Sequence, residues 1–163
     1  MAENQVAVAE GAIFTTDVRD AFTSLSDPSI WRQLALPGQA WARFILGDRN
    51  QPDAPQVWIV KLPPGFVVPK HYHKTHRLEI VLEGSYTLGG ASRGPCELTF
   101  LSGSKVYGPM IVGDEGVITL EVFSSGRDME PIFADAISPI TQASLASMGM
   151  APMVDNSINS GAK

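Results

Sequence analysis

The chain has one cysteine in 163 residues, Cys96, so an internal disulfide is excluded and any core must form by burial alone. Cys96 is expected to be a small buried residue rather than a reactive thiol. Charge is scarce too: 18% of residues are charged, below the usual value of about 25%. The 12 basic side chains form no cluster and are outnumbered by 17 acidic ones, leaving a net charge of −5. This removes the electrostatic footprint required for nucleic-acid binding and disfavours an anionic membrane surface. No apolar run approaches the roughly 18 residues needed to span a bilayer. Met1 to Gly11 has neither a basic region nor a continuous apolar one, so the expectation is a soluble, cytoplasmic protein. A Ser-His-Asp set, a phosphate-cradling glycine loop and a Cys-x-x-Cys pair are all missing, which takes support from hydrolase, nucleotide and redox-disulfide functions.

What the chain has in excess is glycine and proline, 15 and 12 residues. These punctuate short apolar runs at 41–46, 56–62, 66–73, 78–82, 85–88, 97–101, 105–107 and 117–123. Many short strands at about 8–12-residue spacing imply an antiparallel sandwich or barrel. Before them, Asp17 to Leu25 has Val18, Ala21, Phe22 and Leu25 on one helical face. After them, Ile140 to Met148 reads as a helix stopped by Gly149 and Pro152, followed by a frayed tail from Asp155. The expected organisation is an N-terminal arm over 1–39, a barrel over 40–133, and a C-terminal arm and tail over 134–163.

All three histidines, His71, His73 and His76, fall within six residues. Residues two apart on a strand share a face, with side-chain roots about 7 Å apart, so His71 and His73 can converge on one ion. His76 lies in the following turn, outside that parity. It reads either as a surface histidine or, if the turn folds inward, as a third metal ligand.

The surrounding residues are more specific. Gly65-Phe-Val-Val-Pro-Lys-His71-Tyr-His73 followed by Val81-Leu-Glu-Gly84 resembles the first signature of the cupin superfamily, Gly-x5-His-x-His-x(3 or 4)-Glu-x6-Gly. Counting back from Gly84 puts Arg77 at the place of the motif's glutamate. Glu79 is two residues on, displaced by about 6.6 Å along the same strand face. The second signature, Gly-x5-Pro-x-Gly-x2-His-x3-Asn, is matched in length by the stretch from Gly94 to Gly108. There Cys96, Ser102 and Ser104 take the Gly, Pro and Gly places, and Tyr107 takes the His place. The resemblance covers about residues 40 to 125.

It implies an all-β, single-domain cupin, a jelly-roll β-barrel of the RmlC-like kind with short terminal arms and a mostly apolar pocket into which the few polar residues of these motifs point. It further implies a divalent transition metal, Fe, Mn, Zn or Ni, held by His71 and His73, with His76 as the candidate third ligand. Imidazole ligands do not select among these metals. Arg77 would bind a substrate carboxylate or enolate, or pair with Glu79. Tyr107 would donate to substrate, move a proton, or ligate a ferric ion as phenolate; a buried core tyrosine is the plain alternative. Trp58 is a core residue or pocket wall, and Glu121 a lumen acid or an edge charge. By resemblance the leading activity is a metal-dependent oxygenase cleaving a dicarbonyl or hydroxyketone. The alternatives are a lyase, isomerase or cyclase using Glu79 or Tyr107 for proton transfer, and a metal-free small-molecule-binding protein. A homodimer formed through sheet edges is the expected assembly.

Overall fold

In the computed structural model, residues 32–33, 38–45, 53–147 and 150–158 are described. The candidate helix at 17–25 and the loop at 46–52 lie outside them. The strands are β1 (Arg32–Gln33), β2 (Ala40–Ile45), β3 (Gln56–Leu62), β4 (Val67–Val68), β5 (His71–Tyr72), β6 (Arg77–Leu88), β7 (Ala91–Arg93), β8 (Leu98–Leu101), β9 (Met110–Phe123), β10 (Ile132–Phe133) and β11 (Met153–Val154), with one helix, α1 (Pro139–Ser147), between the last two. Among the described residues the large sheet runs β1-β2-β3-β9-β6-β7, with β4 on β9 and β8 on β6, and a small sheet runs β11-β10-β5. Every pairing in the large sheet is antiparallel, as the strand spacing implied, and the jelly roll is the architecture that the resemblance to cupins implied.

Two long strands, β6 and β9, form the spine. The runs at 78–82 and 85–88 prove to be one strand, because the Glu83-Gly84 interruption is absorbed as register shifts against β9 rather than as a turn. Gly84 has a φ of +70°, and a Cβ there would sit 2.0 Å from the carbonyl oxygen of Gly116, so only glycine lets the two strands pass this closely. Two other expectations are corrected. The run at 66–73 splits into β4 and β5 around Pro69, which has no N–H for a ladder. The run at 105–107 is not a strand; it contributes one bridge, between Tyr107 and His71.

Alternation sorts the side chains. Arg77, Glu79 and Val81 on β6 stand opposite Phe123, Glu121 and Thr119 on β9, and Trp58 on β3 stands opposite Glu121. All of these are buried and share the inner face. The opposite face buries Ile59, Ile118 and Leu120. Across β6 and β8 that same face leaves Leu78, Leu98 and Phe100 exposed.

The segment after β9 closes one end of the molecule. Met129, Phe133, Ile137, Leu145 and Met150 pack on Trp58 and Phe123. Helix α1 starts where Ser138 Oγ accepts the Thr141 N–H at 3.2 Å, with Pro139 at the first helical position. The chain at Asp155, expected to be frayed, is tied down: its N–H donates to the Phe133 carbonyl at 2.8 Å, and its carboxylate accepts from the Tyr72 hydroxyl at 3.3 Å. No helix among the described residues is long and apolar enough to cross a membrane.

Candidate functional site

His71 leaves β5 with its ring turned inward and His73 follows it; the two rings are 5.2 Å apart and both side chains are buried. His71 Nδ1 lies 2.7 Å from the Pro69 carbonyl oxygen, and His73 Nδ1 lies 2.5 Å from that of Met129. A carbonyl can only accept, so each Nδ1 donates. Burial, reinforced by the positive charge of Arg77, lowers the pKa of His71 to about 4 and pushes that of His73 well below its ordinary value. Both imidazoles are therefore neutral near pH 7, with their lone pairs on Nε2. The Tyr107 hydroxyl donates to His71 Nε2 at 2.9 Å, while His73 Nε2 is buried with no hydrogen-bond partner.

Arg77 occupies the centre of the inner face. Its Nη1 is 2.5 Å from Glu121 Oε2, and its Nη2 is 3.1 Å from Glu79 Oε2. The guanidinium also lies over the rings of Tyr107 and Phe123, at 5.3 and 5.8 Å from their centroids. Burial alone would discharge Arg77, but the carboxylates, Glu121 foremost, outweigh it and hold the guanidinium charged. Its Nε–H is buried and unpartnered. Burial raises the carboxyl pKa of Glu121 against the opposing pull of Arg77, and Thr119 Oγ1 donates to Glu121 Oε1 at 3.3 Å. Burial likewise keeps the Tyr107 phenol protonated, again against Arg77.

The sequence candidates divide accordingly. His71, His73, Arg77, Glu79, Tyr107 and Glu121 are brought into one buried network. Trp58 borders it from the core, its ring 4.6 Å from that of Phe123. His76 is not brought in: it is exposed, its Nδ1 accepts the Gly103 N–H at 3.0 Å, and its ring stacks on Phe100. Odd parity along 71, 73, 77 and 79 already pointed to this separation. Sequence reasoning missed Phe123, Tyr86 and the carbonyls of Pro69 and Met129. Tyr86 is fully buried although its even number places it outside the parity of Arg77 and Glu79, because the irregularities at Glu83 and Gly84 shift the register; Gly84 was the available signal.

Two features bear on the resemblance to the second signature. Cys96 and Ser104, at the motif's glycine places, have φ values of 68° and 62°, the left-handed conformation that glycine adopts most easily. The conformation that a glycine favours is thus present at both places although neither residue is glycine. Cys96 is exposed, contrary to the expectation of a small buried residue, because it lies at this turn and not on a strand.

The implied metal can be tested against these residues. Two Nε2 lone pairs, each oriented by an Nδ1–H to a carbonyl, suit metal ligation. The remaining places do not: Arg77 puts a cation where a carboxylate ligand is expected, and Tyr107 occupies the lone pair of His71. Among the described residues no three His, Cys, Asp or Glu side chains converge to hold an ion. The donor set therefore does not fit the three-histidine, one-carboxylate centre.

No protein-family model matches the chain, and no curated protein matches it. Its fold, however, is shared with solved structures. An RmlC-like cupin protein from Ralstonia eutropha JMP134 is 15% identical, over 75% of this chain and 85% of that chain, with a TM-score of 0.50. The polyketide cyclase RemF from Streptomyces resistomycificus is 17% identical, over 76% and 89%, with a TM-score of 0.49. The DMSP lyase DddQ from Ruegeria pomeroyi DSS-3 is 22% identical, over 73% and 69%, with a TM-score of 0.48.

Proposed function

For this chain, which has the cupin fold, we propose a non-redox proton-transfer reaction on a small enolisable carbonyl compound, of the lyase, isomerase or cyclase class. One observation carries the reading: within one buried network, the acceptor His73 Nε2 and the donor Arg77 Nε–H both lack a hydrogen-bond partner. An orphaned buried polar group costs about 1–3 kcal/mol, so a ligand that satisfies both groups recovers that energy on binding. A carbonyl oxygen accepts from Arg77 Nε–H, which stabilises the charge of the developing enolate. Neutral His73 removes the adjacent proton through Nε2. Tyr107, whose hydroxyl donates to His71 before substrate enters, turns that O–H to the substrate and returns a proton to the far atom. Glu79 is engaged with Arg77 and sets the charge of the site instead of moving the proton.

The test is deuterium incorporation and product formation by the purified protein in D2O, across a panel of small ketones, hydroxyketones and keto acids. Wild type should exchange or convert at least one class, and His73→Gln should lose at least about a hundredfold, within the usual range for removing a general base. His76→Gln should match wild type. Equal rates in wild type and His73→Gln would refute the assignment.

The competing reading is a metal-dependent oxygenase at the same histidines, for which the one open imidazole lone pair, His73 Nε2, speaks and the Tyr107 bond to His71 Nε2 speaks against. Dioxygen uptake that requires added Fe(II) and vanishes in His73→Gln would establish it in place of the first.

A further inference from the structure

The four side chains His71, His73, Glu79 and Glu121 are the donor types that a divalent transition metal takes: two neutral imidazoles and two carboxylates. The two carboxylates meet on the Arg77 side chain, itself 7% exposed, which also lies over the Tyr107 ring that holds His71, and His73 lies in the same buried network. The guanidinium makes the contacts an ion would make. Nη1 and Nη2 reach one oxygen of each carboxylate, and the same group lies over Tyr107, whose hydroxyl in turn holds His71 Nε2.

We infer that Arg77 is a built-in replacement for a metal ion: a covalently attached cation that neutralises the carboxylates and keeps divalent metals out of the lumen. The inference is independent of the reaction proposed above, since it concerns which cation fills the site and not what is done there. Two arguments support it. A +1 guanidinium between two carboxylates leaves the cluster at −1 when both are ionised, against −2 without it, so the pull on an incoming dication is halved while a fixed positive charge stands in its path. The fork also hydrogen-bonds Glu121 and ion-pairs with Glu79, contacts that a point ion would make by coordination, but an arginine cannot dissociate. Its carrier position, at the point in the strand where the first-signature pattern has a carboxylate, turns one donor into the cation the donors serve.

The experiment is metal uptake, read without reference to activity. Wild-type protein, Arg77→Met and the charge-balanced double variant Arg77→Gln/Glu121→Gln are dialysed separately against Co(II) and Zn(II). Bound metal is then counted by elemental analysis and Co(II) coordination is read from visible absorption. Wild type should retain less than a tenth of an equivalent in its lumen. Removing the guanidinium should raise this at least fivefold, toward one equivalent, and His73→Gln added to either variant should abolish the gain. The double variant keeps the net charge of the cluster, so it stays usable if the single variant fails to fold. One equivalent on wild type that is lost in His73→Gln overturns the inference whatever the variants do. A variant with unchanged far-UV circular dichroism that takes up no metal overturns it as well.

Discussion

Arg77 Nη1 lies 2.5 Å from Glu121 Oε2 across the β6–β9 pair, and neither side chain is more than a tenth exposed. Glu79 completes the cluster from the other side at 3.1 Å. Breaking a buried pair by removing one partner strands the other charge, and this typically costs about 3–5 kcal/mol. Arg77→Met should therefore lower the unfolding free energy by about that amount, and adding Glu79→Gln and Glu121→Gln should recover most of it. Chemical denaturation of the series checks this; a single variant as stable as wild type would mean that the ion pairs carry no weight.

The neutral histidines predict an acid limb of stability. The pKa of His71 is about 4 in the fold against an ordinary 6.5, so the unfolded chain binds its proton first. Its contribution is complete above pH 6.5 and is lost as pH falls toward 4, amounting to about 3 kcal/mol by the pKa difference. His73 acts in the same direction. Glu121, raised by burial, works oppositely: its contribution is present at low pH and lost as pH rises through its folded pKa. Denaturation midpoints measured from pH 7 to 4 should fall. Imidazole 15N shifts should hold His71 as the Nδ1–H tautomer until the pH nears 4; a ring titrating at its ordinary value would contradict the site geometry.

Left-handed backbone at Cys96 and Ser104 predicts two stabilising substitutions. An L side chain in this conformation costs roughly 1–2 kcal/mol. Glycine relieves that cost but adds about 0.4–1 kcal/mol of unfolded-state entropy. Both side chains are exposed, and the backbone bonds that hold the turns, Cys96 N–H to Val81 O at 2.9 Å and Ser104 N–H to His73 O at 2.7 Å, survive the change. Cys96→Gly and Ser104→Gly should each raise stability by up to about 1 kcal/mol. Lower urea midpoints in both would disprove the reading of these turns.

The reverse holds at Gly84. Alanine there would place a methyl carbon 2.0 Å from the Gly116 carbonyl oxygen at a φ of +70°, with backbone on both sides and nothing free to yield. Gly84→Ala should cost about 3 kcal/mol or more, the range reserved for strain at a special conformation. A soluble variant with wild-type thermal stability would show that β6 and β9 can separate at this point.

Much of the fold could be read from the chain because strand alternation is a local property. Period-two burial placed Arg77 and Glu79 on one face, the parity of His71 and His73 separated them from His76, and motif spacing located Arg77 and Tyr107 at their positions. The tertiary structure decided what those residues do there. His73 takes its orientation from the carbonyl of Met129, 56 residues on, and Arg77 takes its partner Glu121 from 44 residues on. Which nitrogen of an imidazole carries the proton, and whether an arginine faces a substrate or two carboxylates, depend on groups delivered by other strands and by loops. No local periodicity encodes such pairings, and in a buried site they set the charge and hence the chemistry.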